Sequence, residues 1–164
     1  MREIKFRAWH KYYKQMVTVD WIQLNFTRDM KKYKIAFSQR YDKQLNKDVS
    51  DYARQDEIEL MQFTGLYDNT KWKQLTEQER QKWLDTGKTE SEWIGKEIYE
   101  GDILNCSVLG LRIIKYNTKQ AAFKHYSLKY NVSSGILKSE IKHDEIIGNI
   151  YENKELIQHL SEEK

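Results

Sequence analysis

Residues suited to binding a polyanion crowd the first third of the chain. Residues 1–55 hold ten aromatics, and basic residues flank many of them, as in Arg7-Ala8-Trp9-His10-Lys11-Tyr12-Tyr13-Lys14 and Lys31-Lys32-Tyr33-Lys34. Ammonium and guanidinium groups neutralise phosphates, and aromatic faces stack on unpaired bases. The pattern nominates Arg7, Trp9, Lys11, Tyr12, Tyr13, Lys14, Lys31, Lys32, Tyr33 and Lys34 as contacts to DNA or RNA. A second stretch of this kind runs from Lys124-His125-Tyr126 to Lys129-Tyr130. Ordinary β architecture produces the same pattern, because aromatics favour strands and lysines protect sheet edges. No RNP motif, helix-turn-helix or zinc finger accompanies either stretch.

Catalytic chemistry has little to work with. His10, His125, His143 and His159 stand at no metal-binding spacing, and HExxH is absent. His143-Asp144-Glu145 has the makings of an acid/base cluster but reads as a polar loop before the last strand. Cys106 is the only cysteine, which excludes an intrachain disulfide and a cysteine zinc site. Its place between Leu104 and Val108 reads as a sheet position rather than an activated nucleophile. Glu57 with Glu59, and Glu100 with Asp102, are carboxylate pairs with no third ligand. The seven glycines are dispersed and form no phosphate loop. We therefore expect no catalytic, cofactor-binding or metal-binding residues, no small-molecule substrate, and a protein that is not an enzyme.

Charge is uneven along the chain. Residues 1–55 carry 13 Lys/Arg and 6 Asp/Glu, and residues 56–164 carry 15 and 19. A basic part beside an acidic part fits a nucleic-acid footprint, head-to-tail self-association, or solvated faces with no partner. The 164 residues predict one domain, or one domain with a small insertion. Mean hydropathy is −0.88, but 13% aromatic content argues against wholesale disorder. No run approaches the roughly 18 apolar residues of a membrane span, and no apolar leader opens the chain. The expectation is a soluble cytoplasmic protein that makes no membrane contact.

The elements that would position these residues are mostly strands. Ile4, Phe6 and Ala8 alternate with Lys5, Arg7 and Trp9, which predicts a strand with one buried face. Met16 to Ile22 predicts a second strand after a turn at Lys11-Tyr12-Tyr13, and Tyr33 to Phe37 a third. Gln39 to Gln55 is polar and reads as loop, and Ile58 to Thr64 as strand. Proline is absent, so turns fall to stretches such as Tyr67-Asp68-Asn69 and Ser133-Ser134-Gly135. LTEQERQKWLDTG predicts a helix with Thr76 and Glu79 as its capping box and Gly87 just past its end. Thr89 with Glu92 predicts a second, shorter capped turn. From Ile98 a meander of short strands suits a small curled sheet or barrel, and Asn153 to Lys164 a closing helix with Asn153 as its cap.

Four phrases carry a family likeness: MREIKFRAW, LMQFTGL (Leu60–Leu66), GKEIYEGDIL (Gly95–Leu104) and EIIGNIYENKEL (Glu145–Leu156). Together they resemble the YopX family, found in phages and prophages of Gram-positive bacteria. The resemblance implies a mostly-β fold with a C-terminal barrel-like region, and brings no catalytic residues and no settled molecular function. It is weakest over 25–56 and over 70–94, where a helical insertion separates two family phrases. The phrases read as structural, with Gly65, Gly101 and Gly148 at turns or bulges and Ile98, Ile103, Ile147 and Ile150 in the core. The expected architecture is mainly β (α+β): N-terminal strands over 1–69, the insertion over 70–94, and an SH3-like or similar small β-barrel with a terminal helix over 95–164. The insertion holds Trp72, Trp83 and Trp93, and its five basic and five acidic residues cancel. Tryptophan is enriched at interface hot spots. Two functions follow as expectations: non-catalytic binding of DNA or RNA through the basic aromatic region, or homo-oligomeric contact through the three tryptophans.

Overall fold

A computed structural model describes residues 3–24, 33–42, 47–130, 132–136, 141 and 143–158. The fold is mixed α+β and dominated by antiparallel strands. It comprises two compact units, residues 1–63 and 64–164.

In the first unit, β1 (Phe6–His10) pairs with β2 (Gln15–Thr18) and with the start of β6 (Ile58–Tyr67). A separate sheet joins β3 (Trp21–Leu24), β4 (Tyr33–Asp42) and β5 (Lys47–Arg54). Ala8, Val17, Ala53 and Ile58 form the core, with Val19, Ile22 and Leu60 packed against it. The strand expected over 16–22 is therefore two strands, which break at Val19-Asp20 to enter different sheets. The loop expected over 39–55 is largely strand. β4 continues to Asp42, and β5 pairs back on it with a register shift between Phe37 and Arg40. A polar strand lacks the alternation that marks a half-buried one, and the backbone ladder to β4 stabilises it instead.

In the second unit, β8 (Asp102–Cys106), β9 (Gly110–Asn117), β10 (Ala122–Ser127), β11 (Ser133–Gly135) and β12 (Glu145–Asn149) form one antiparallel sheet in the order β11-β10-β9-β8-β12. Among the described residues no ladder joins β11 to β12, so the sheet stands open where an SH3-like barrel would close. The end of β6 neighbours β7 (Glu97–Tyr99), and the Thr64 hydroxyl donates to the Ile98 carbonyl at 2.9 Å. Ile98, Leu104, Ile114 and Ile141 form the core.

Gly101, in the turn before β8, and Gly65, inside β6, hold the left-handed φ of 82° and 84° that glycine accommodates. Gly148 lies at a β-bulge, with Ile146 opposite Leu104 and Gly148 opposite Ile103. The intervening Ile147 is left unpaired and 40% exposed, not in the core. The closing helix α2 is described over Glu155–Gln158, and His159 and Leu160 lie outside the described residues. Asn153 meets this helix through its backbone carbonyl, which accepts the Leu156 N–H. Its side-chain oxygen accepts the Asn149 N–H instead of capping the helix.

Candidate interaction surfaces

The helix α1 (Glu77–Leu84) begins as its sequence requires. The Thr76 hydroxyl accepts the Glu79 N–H at 3.3 Å, while the Glu79 carboxylate accepts the Thr76 N–H at 2.8 Å. Thr89 and Glu92 close a second box on a 3-10 turn over Glu90–Glu92, with Thr89 N–H donating to Glu92 at 2.8 Å. Gly87 ends the helix at φ 80°.

These caps position the tryptophans. Trp93 is the centre, edge-on to Trp83 at 5.0 Å and to Trp72 at 6.0 Å. Its indole N–H donates to the Thr70 carbonyl at 2.8 Å, and that of Trp83 to the Thr89 carbonyl at 2.9 Å. The Lys88 ammonium lies 4.3 Å from the Trp83 ring centroid. All three rings are half-buried, and two large apolar neighbours in the chain, Leu84 (43%) and Ile94 (62%), are exposed. The structure thus gathers Trp72, Trp83 and Trp93 into one surface cluster, as edge-to-face pairs favour.

The platform beneath is polar and buried. The Asp68 carboxylate accepts the Thr70 N–H and hydroxyl at 3.0 and 2.6 Å, the Lys96 N–H at 2.7 Å and the Ile146 N–H at 2.9 Å. Gly95 passes so close, at φ 121°, that any Cβ there would collide with the Asp68 carbonyl. Salt-bridged Lys96 and Glu79 meet at 2.7 Å and tie α1 to the segment before β7.

Burial opposes ionisation of Glu79, but the hydrogen bonds from Lys96 and from the Thr76 N–H and hydroxyl, with the Lys96 charge, outweigh it. The carboxyl is held below its ordinary value of 4.5. A lowered carboxylate contributes stability above its unfolded pKa and loses it as pH falls through the folded one. Glu79→Gln should therefore melt below the parent at pH 7. The gap should close as pH falls below 4.5 and through the folded value, as read by thermal melts across that range.

The basic aromatic residues are not brought together in this way. Trp9 is 8% exposed, so its ring packs inside rather than standing ready to stack on a base, and Arg7 is half-buried. Lys11 pairs with Glu59 at 2.8 Å. Tyr12 is 81% exposed at the β1–β2 turn, edge-on to Tyr13, which lies 4.4 Å from the His10 ring. Lys14 is exposed in the same turn. Lys31 and Lys32 lie outside the described residues, and Tyr33 and Lys34 are placed as backbone positions of β4.

Asp144 does lie in the loop before β12, but its side chain is buried. It is 0% exposed and ion-paired with Arg112 of β9, itself 1% exposed. His143 beside it is exposed. Among the described residues no group of three His, Cys, Asp or Glu side chains stands ready for a metal. No described helix is long and apolar enough to cross a membrane.

Fold and surface together define a strand-rich α+β protein that displays a tryptophan cluster built from a short capped helix and the turns on either side of it. The family model described as YopX protein matches residues 5–79 and 91–158, so the chain belongs to that family of phage and prophage proteins. The match runs through 25–56, where likeness was expected to be weakest, and leaves out only 80–90 within the 70–94 stretch. The crystal structure of protein EF1440 from Enterococcus faecalis is similar in fold, at TM-score 0.54 and 22% identity, covering 96% of this chain and 99% of that one. No curated protein matches.

Proposed function

We propose that this chain is a non-catalytic interaction protein of the bacterial cytoplasm, which self-associates through the tryptophan surface of residues 70–94. The observation that carries the reading is the cluster itself, with Trp83 and Trp93 in contact and Leu84 and Ile94 exposed beside them in the chain. Half-buried tryptophans with exposed aliphatic neighbours form the kind of patch that association covers. The five basic and five acidic residues of 70–94 cancel, so two copies meet there without net repulsion. Sedimentation across about 1 to 100 µM should show mass rising with concentration, and Trp83→Ala should weaken association tenfold or more. A parent that stays monomeric throughout would end this reading.

A second reading rests on Tyr12, Tyr13 and Lys14, exposed together in one turn of the basic region. There the chain binds DNA or RNA by stacking on Tyr12. Loss of oligonucleotide binding in Tyr12→Ala, with the melting temperature unchanged, would support it.

A further inference from the structure

Between Asp102 and Glu140 the sequence contains no acidic residue. Those 37 positions hold Arg112, Lys115, Lys119, Lys124, Lys129 and Lys138, where the average acid content of the chain would place five or six carboxylates. They build β8 to β11 of the open sheet. Arg112 is neutralised by Asp144. Lys115, Lys119, Lys124 and Lys129 meet no carboxylate among the described residues.

The register makes this segregation local. Lys124 stands directly opposite Lys115 on one face of β9 and β10. Like charges facing across two strands destabilise a sheet. Glu100, in the turn before β8, accepts the Tyr116 N–H at 3.1 Å and so is engaged with the backbone. Tyr126 lies two pairs along and so on the same face, its ring 5.6 Å from the Lys115 ammonium and its hydroxyl accepting from the Asn117 amide at 3.4 Å. Lys119 is exposed in the turn that joins the two strands.

We propose that this face of β9 and β10 binds single-stranded nucleic acid, with Lys115, Lys119 and Lys124 on phosphates and Tyr126, beside Lys115, as the aromatic platform. Charge complementarity selects a polyanion, because the face offers only cations over a long acid-free stretch. An anchored ring beside an ammonium group suits a base, and the absence of large aliphatic side chains among Lys115, Asn117, Ala122 and Lys124 gives a bilayer nothing to receive. The proposal is independent of both readings above, since it uses neither the tryptophans nor the β1–β2 turn.

The test is fluorescence anisotropy of a labelled oligothymidylate of about 20 nucleotides at several salt concentrations. The parent should bind with steep salt dependence. Lys115→Glu/Lys124→Glu should bind at least tenfold more weakly, with a log–log salt slope shallower by about 1.4. Trp83→Ala should bind as the parent does. Lys115→Glu alone should weaken binding yet melt about 1–3 °C higher, because it then faces Lys124 as an opposite charge. A parent that does not bind at low salt, a double variant that binds unchanged, or binding to phosphatidylserine vesicles without binding to the oligonucleotide would each overturn the proposal.

Discussion

Asp144→Ala should cost the 64–164 unit about 3–5 kcal/mol of stability. The carboxylate is fully buried against Arg112, the largest fully buried side chain described. Its removal leaves a guanidinium charge in the interior with its ion-pair partner gone, and that desolvation is not recovered. The pair itself is worth far less than the loss of one member, because taking both ions out of water offsets most of their attraction. Arg112→Met/Asp144→Leu should therefore be much less destabilised than either charge-breaking single variant, giving a large coupling in a double-mutant cycle. Urea midpoints with unchanged slopes measure it. An Asp144→Ala variant that unfolds at the parent midpoint would show that Arg112 does not depend on this carboxylate.

Asp68→Ala should cost a similar amount, about 3–5 kcal/mol, by a different route. Four donors converge on one buried carboxylate, three of them backbone N–H groups from Thr70, Lys96 and Ile146. Alanine strands all four, and each buried donor left unmatched costs about 1–3 kcal/mol before any relaxation. Asp68→Asn should fall between, since the amide keeps one acceptor oxygen. The effect reaches the tryptophans, because Thr70 carries the carbonyl that holds Trp93. Hydrogen exchange at Thr70, Lys96 and Ile146 should rise first, and tryptophan emission should shift before global unfolding. Parent-like protection at these amides would contradict the arrangement.

What was legible in the sequence was local. Thr76 with Glu79, Thr89 with Glu92, and Gly87 sit at spacings fixed by helix geometry, and each occupies its expected place. Gly101 marks a turn and Gly148 a bulge, while Gly65 takes its left-handed φ inside β6. What was not legible depends on partners distant in the chain. Asp68 reads as a turn residue and Asp144 as part of a polar loop, because nothing near Asp68 announces Ile146 and nothing near Asp144 announces Arg112. β5 was hidden because its pairing with β4 rests on backbone bonds that leave no hydrophobic period. Ile147 faces outward because one extra residue in a bulge reverses which side chain faces inward, and the local hydrophobic pattern does not announce it. The three tryptophans were visible by type and by their place in the insertion. Their mutual contact is a tertiary fact, since Trp72 and Trp93 lie 21 positions apart.

Sedimentation equilibrium of Ile94→Asp beside the parent tests the proposal that copies of this chain meet through the tryptophan surface. Ile94 is 62% exposed, so an aspartate there leaves the core untouched and acts on the surface alone. The parent should associate as its concentration rises, and the Ile94→Asp protein should stay monomeric with the same melting temperature at low concentration. Equal association of the two proteins would contradict the proposal.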